Sequence, residues 1–145
     1  MTTSNYDSKY IDKLEEYSKV FNNTFMDIIA RVRKEVPDNK DIQEFEEKLR
    51  SAKREDPTYL LCEFYLGMYE SRESIKKKDE TFFLNPPFDE NIDDGKYKDI
   101  ILSLKDSCKN VFPTLDSISK KYLWSKFKTM LTIVLKYMQL TQKHK

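Results

Sequence analysis

Apolar residues recur at spacings of three and four along most of the chain, the pattern of helices that bury one face. The clearest case runs from Ser117 to Leu140, which contains no proline, glycine or acidic residue. It predicts a long C-terminal helix, capped by Thr114 or Asp116, against which the rest of the chain packs. Its predicted core arc consists of Leu123, Phe127, Met130, Leu131, Val134, Leu135 and Met138.

A second, narrower apolar strip lies on the far side of this helix and consists of Tyr122, Ile133, Tyr137 and Leu140. Three lysines lie between the two strips. A helix that is apolar on two sides is either central in a bundle or keeps one side for a partner. We predict that a partner binds there, unless the monomer itself buries these positions: Lys121, Tyr122, Lys128, Ile133, Lys136 and Tyr137.

Four further helical segments precede the C-terminal one. The first, residues 6–35, has an apolar seam close to heptad register, which faces the bundle core or a coiled-coil partner. Pro37 ends it, because proline cannot continue the backbone hydrogen bonds of a helix. The second segment opens at Asp41 and Glu44, which resemble a capping box.

The third segment starts at Asp56-Pro57, a side-chain cap followed by proline at the first helical position. It is expected to continue to Ile75. Glycine inside a helix lowers stability by about 1 kcal/mol relative to alanine. Its presence at Gly67 therefore indicates a close helix crossing, which we expect to be with the C-terminal helix. Residues 96–111 form the fourth segment.

The one long irregular segment covers about residues 79–95 and contains Pro86-Pro87. Four apolar side chains surround these prolines, so we expect the loop to be strapped onto the bundle. They are Phe82, Phe83, Leu84 and Phe88.

The composition agrees with an all-α protein. Only two glycines and five prolines occur in 145 residues, which leaves few tight turns between helices. The content of 39% hydrophobic residues lies well above that of disordered chains. We predict a single helical domain, residues 1–145, built as a bundle of about five helices with a frayed basic tail at 141–145.

The chain has no basic and apolar leader of the secretory type and no apolar run long enough to span a membrane. Cys62 and Cys108 form no C-x-x-C motif and are expected to be reduced thiols, with a single disulfide as the alternative. The sequon at Asn22 lies inside a helical pattern, without a secretory signal, and is interpreted as chance. We therefore expect an intracellular protein, cytoplasmic or nuclear and not secreted.

Catalytic and cofactor signatures are missing from the sequence. The single histidine is His144, next to the last residue, so the usual catalytic triads and histidine-based zinc sites cannot be assembled. Two glycines are too few for a phosphate-binding loop or a dinucleotide fingerprint. We predict no enzymatic activity, no cofactor and no small-molecule substrate.

One acidic stretch begins like the calcium loop of an EF-hand, at Asp89-x-Asn91-x-Asp93. Asp94 follows where glycine allows the sharp turn, and Ile100 replaces the closing glutamate. A solvated acidic loop is therefore the better interpretation, and we predict no metal site.

Charged residues are distributed unevenly along the chain. Residues 117–145 carry seven lysines and no acid, a net +7, which leaves −6 for residues 1–116 because the whole chain is at +1. Lysines interleaved with Tyr122, Trp124 and Tyr137 would suit a protein that binds the phosphate backbone of a nucleic acid. We expect a protein-interaction, structural or adaptor subunit that binds a protein partner or self-associates, with nucleic-acid binding as the alternative.

A pattern extends across the second half of the chain and has two parts. The loop contributes Phe82, Phe83, Leu84 and Pro86, and the closing helix contributes Ile118, Ser119, Trp124 and Phe127. This pattern resembles small, uncharacterised helical proteins of large nucleocytoplasmic DNA viruses. The resemblance implies a virion component or an infection-stage accessory protein, and it transfers no functional residue.

Overall fold

The computed structural model describes residues 2–84 and 95–143, with side chains over residues 8–83 and 95–142. All regular structure in these residues is helical, which confirms the predicted all-α bundle. Five helices have seven residues or more. The helices are α1 (Thr2–Glu35), α2 (Lys40–Glu55), α3 (Tyr59–Glu70), α4 (Arg72–Lys77), α5 (Thr81–Leu84), α6 (Gly95–Asn110) and α7 (Ser117–Lys143), with a 3-10 turn at Phe112–Thr114.

The start of α2 differs from the predicted capping box. Asn39 is the cap, because its side-chain oxygen accepts a hydrogen bond from the backbone N–H of Ile42 at 3.1 Å. Glu44, predicted to complete the box, instead pairs with Lys48 one turn later at 3.3 Å. The helix therefore begins one residue before Asp41.

The predicted third helix is two helices. It begins at Tyr59 rather than at Pro57, because the Asp56 carboxylate accepts hydrogen bonds from the backbone N–H and the hydroxyl of Thr58 and holds them in a turn. Ser71 then separates α3 from α4. Gly67 is buried, and α3 contacts both α1 and α7, while a close crossing with the C-terminal helix at Gly67 itself stays a prediction.

The predicted loop contains α5, whose two phenylalanines are buried as expected. Phe83 stacks on Phe112 with ring centroids 3.7 Å apart and lies edge-on to Trp124 at 4.9 Å. These contacts attach α5 to α7 and to the 3-10 turn. The side chains of Leu84 and Phe88, Pro86-Pro87 and the calcium-like motif at 89–93 lie outside the described residues.

α7 packs against other helices on two of its sides, which we call the two walls of the bundle. α1 runs antiparallel to it on one side, since Lys126 pairs with Asp27 and Ser119 with Arg31. α3 and α4 contact it on the other side, where Phe82 and Phe83 of α5 also pack against Phe127 and Trp124. The helix continues through Lys143, beyond the predicted end and into the segment expected to fray, while 144–145 are outside the described residues. No described helix has both the length and the apolar content needed to cross a membrane.

Candidate interaction surface

The side of α7 that points away from both walls forms a continuous exposed surface. Its residues follow one another at spacings of three and four, so they share one side of the helix. We call this surface the outer face of α7. It consists of Ile118, Lys121, Ser125, Lys128, Thr129, Thr132, Leu135, Lys136 and Gln139.

The six residues predicted to bind a partner do not share one surface. Lys121, Lys128 and Lys136 are exposed and lie on the outer face. Ile133 and Tyr137 are buried, with 8% and 7% exposure. The structure therefore brings the three predicted lysines together and places the two apolar residues among the core.

Tyr122 is half-buried and already has partners within the chain. The Arg31 guanidinium lies 5.4 Å and the Lys126 ammonium 5.3 Å from its ring centroid. Cations at this distance from an aromatic face are attracted to it. The ring therefore contributes to the contact between α1 and α7.

Tyr137 is likewise occupied internally. Its hydroxyl donates to the sulfur of Cys62 at 3.7 Å, and its ring meets Tyr65 edge-on with centroids 5.0 Å apart. Burial raises the pKa of Tyr137, and the hydrogen bond with Cys62 acts in the same direction. This residue stabilises the contact between α3 and α7.

The lysines of α7 whose side chains the structure describes fall into two groups. Lys120 pairs with Glu80 at 3.2 Å, and Lys126 pairs with Asp27 at 3.2 Å. No ion pair between described residues involves Lys121, Lys128 or Lys136. The outer face thus carries three positive charges that the described part of the chain leaves without an ion-pair partner.

The sequence pattern missed two apolar members of this face. Leu135, assigned to the core arc, is 37% exposed, and Ile118 is 68% exposed. The assignment of Leu135 is wrong because two walls contact α7 and rotate its buried arc toward Ile133 and Tyr137. A helical wheel centred on the three lysines would have included both residues.

Thr129 and Thr132 add further apolar surface. Each hydroxyl donates to the carbonyl four residues earlier, to Ser125 at 3.2 Å and to Lys128 at 3.1 Å. Because these hydroxyls are bonded within the helix, the methyl groups are left for outside contacts. The outer face therefore combines positive charge with small apolar groups.

Two cysteines lie elsewhere in the fold. Cys62 and Cys108 are free thiols, and burial raises the pKa of Cys108 to about 12, so that this thiol stays protonated at neutral pH. No group of three metal-binding side chains occurs among the described residues.

The sequon residue Asn22 is buried at 4% exposure and donates to the Pro57 carbonyl at 2.8 Å, so the folded chain does not present it for glycosylation.

An open cleft of about 580 Å³ lies where α1 meets the turn between α2 and α3. Its charged side chains are Glu15 and Asp56, and Lys19 and Lys53, which balance one another. This mixture selects no class of ligand by charge, so the outer face of α7 is the stronger candidate. No protein-family model matches the chain, and neither a curated protein nor a solved structure shows significant similarity to it.

Proposed function

We propose that the protein is a non-enzymatic interaction subunit that binds a protein partner through the outer face of α7. The observation that carries this proposal is the group of exposed lysines at 121, 128 and 136 without ion-pair partners among the described residues. Unpaired charges of one sign on one surface attract a partner of the opposite sign and orient it. In this proposal the protein acts inside the cell, as a structural or accessory component.

Site-specific crosslinking tests where the partner binds. A photoreactive amino acid is placed at Ser125, in the middle of the outer face, and the protein is irradiated in its native cells. The matched control carries the same group at Leu102, which is 41% exposed on α6. We expect a defined protein adduct from position 125 and none from position 102.

Two results would contradict the proposal. One is the absence of adducts from position 125 and from neighbouring outer-face positions such as Thr132, with the protein remaining monomeric at high concentration. The other is the same adduct from positions 125 and 102, because a surface that reacts without preference is not a binding face.

Nucleic-acid binding is the second candidate, favoured by the absence of acidic residues throughout α7. Stacking on bases would require exposed aromatic rings. Trp124 and Tyr137 are buried, and Tyr122 is half-buried between two cations. The remaining contribution is phosphate contact by lysines, which gives weak and salt-sensitive binding.

A mobility-shift assay with single-stranded and duplex probes distinguishes the two candidates. The protein-interaction proposal predicts no shift at physiological salt. Tight binding that falls steeply as salt rises, and that is lost when Lys121, Lys128 and Lys136 are changed to glutamine, would favour the nucleic-acid candidate instead.

A further inference from the structure

We infer that the partner segment on the outer face of α7 is an acidic helix, lying along α7 with carboxylates about two turns apart. This inference rests on the proposed function and specifies the chemistry of the partner. It is carried by the charge, the spacing and the shape of the outer face.

The charge of the face selects an acidic occupant. Lys121, Lys128 and Lys136 are exposed, and α7 contributes no carboxylate from Ser117 to Lys143. Among the described residues, the acids that contact α7 from its two walls have other partners: Asp27 pairs with Lys126, Glu80 with Lys120, and Glu35 accepts a hydrogen bond from the Ser119 hydroxyl. Two α7 helices from two copies would place lysines against lysines, so this face does not suit pairing with itself.

The spacing of the lysines matches another helix. They are seven and eight residues apart, which is roughly 10 and 12 Å at a rise of about 1.5 Å per residue. Two turns of any α-helix advance about 11 Å. Carboxylates at the same intervals on a facing helix therefore meet all three lysines without distortion.

Nucleic-acid phosphates match this face less well, because most of their charge would remain unneutralised. A duplex carries a charge about every 3.4 Å along each strand, so three lysines over about 22 Å of helix neutralise a small part of it. An acidic helix, in contrast, needs only one carboxylate for each lysine.

The shape of the face allows close approach. Ser125, Thr129 and Thr132 lie between the lysines, with the two threonine hydroxyls bonded back to the helix. Small side chains let two helices come near each other, about 8–10 Å between axes. Ile118 and Leu135 add exposed apolar contacts toward the two ends.

The probe is a capped helical peptide of about 24 residues, with glutamates at intervals of seven and eight that match Lys121, Lys128 and Lys136. Its apolar residues are placed beside these glutamates. A second peptide has the same composition, but its glutamates are moved to the opposite side of the helix. Binding of both to the full-length protein is measured by fluorescence anisotropy.

We expect the first peptide to bind at least about tenfold more tightly than the second. Changing Lys121, Lys128 and Lys136 together to glutamine should remove most of this preference. The matched control changes Lys19, Lys98 and Lys109, which are exposed on α1 and α6, and should leave the affinity within about twofold. Circular dichroism checks that each variant is folded.

Three results would overturn the inference: equal affinity for both peptides, no binding of either, or the same loss in the control variant as in the outer-face variant. The crosslinking experiment separates this failure from failure of the proposed function. A native adduct at Ser125 together with no peptide preference would retain the binding face and reject the acidic helix as its occupant.

Discussion

At the scale of single residues, one lysine has an unfavourable backbone conformation. Lys78 ends α4 with φ 56° and ψ 43°, in the left-handed region. This region is strained for residues with a Cβ atom and is readily adopted by glycine. Its N–H donates to the Ile75 carbonyl, which closes the last turn of the helix.

Replacing Lys78 with glycine should therefore stabilise the protein. We expect the free energy of unfolding to rise by about 0.5–1 kcal/mol, because relief of the strain exceeds the extra freedom of glycine in the unfolded chain. Urea denaturation measures this change. Lys76→Gly, two residues earlier within α4, is the matched control and should lower the free energy by roughly 0.5–1 kcal/mol. Destabilisation by both changes would contradict the assigned strain.

Asp116 is the residue that caps α7, one of the two alternatives predicted from the sequence. Its carboxylate accepts a hydrogen bond from the backbone N–H of Ser119 at 2.7 Å. That bond is the main reason why the pKa of Asp116 lies below its ordinary value of 3.8, and the positive charge of Arg31 contributes in the same direction.

A group whose pKa is lower in the folded state stabilises the fold above its unfolded pKa and loses this effect as pH falls through the folded value. Between about pH 5 and about pH 2, wild type should therefore lose more stability than Asp116→Asn, which retains a capping oxygen but does not titrate. Parallel denaturation series at several pH values measure this difference. Identical pH dependence of the two proteins would show that Asp116 does not contribute.

At the scale of elements, the four-residue helix α5 depends on aromatic packing. Phe83 contacts Phe112, Trp124 and Phe127, with centroids from 3.7 to 5.4 Å apart. Helices this short are not stable by themselves. The buried rings therefore hold α5 on the bundle.

Phe83→Ala should remove about 3–5 kcal/mol of stability, because it empties a well-packed position. Thermal or urea denaturation reports the loss. Leu66→Ala is the control, since Leu66 is 51% exposed on α3 and should change stability by less than about 0.5 kcal/mol. Similar losses for the two variants would mean that Phe83 does not anchor α5.

Periodicity predicted the long elements well and their connections less well. The start of α7, the end of α1 and, to within one residue, the extent of α6 follow from apolar spacing and from proline positions, whereas α1 begins at Thr2, four residues before its predicted start. The break at Ser71 has no proline or glycine to announce it, since glycine occurs only at 67 and 95. It arises where the Ser71 N–H bonds to the carbonyls of Gly67 and Met68, a local geometry that residue spacing does not encode.

The outer face was predicted in part for a related reason. Apolar residues occupy more than half of the circumference of α7, so the sequence alone does not determine which of them point outward. The lysines were placed correctly because burial of an unpaired charge is costly. Ile133, Tyr137 and Leu135 depend on where α1 and α3 contact α7, which is a property of the assembled bundle.

At the scale of the whole molecule, the uneven charge of the chain is balanced only in part. Residues 117–145 carry a net +7 and residues 1–116 a net −6. Folding brings Lys120 and Lys126 onto acids of the remainder, at 3.2 Å in each case. The lysines of the outer face have no such contacts with described residues, so their charges face the solvent and can interact with a partner.

This division predicts opposite roles for neighbouring lysines. Lys126→Gln should lower the free energy of unfolding by about 0.5–1 kcal/mol, since it removes the pair with Asp27 and the contact with the Tyr122 ring. Lys128→Gln, two residues further along α7 and on the outer face, should leave stability within about 0.5 kcal/mol.

Urea denaturation of both variants at low and high salt tests this prediction. The loss in Lys126→Gln should shrink as salt rises, because screening already weakens the ion pair in wild type. If Lys128→Gln proved as destabilising as Lys126→Gln, Lys128 would be stabilising the fold of its own chain. The outer face would then have only two charges left to bind a partner.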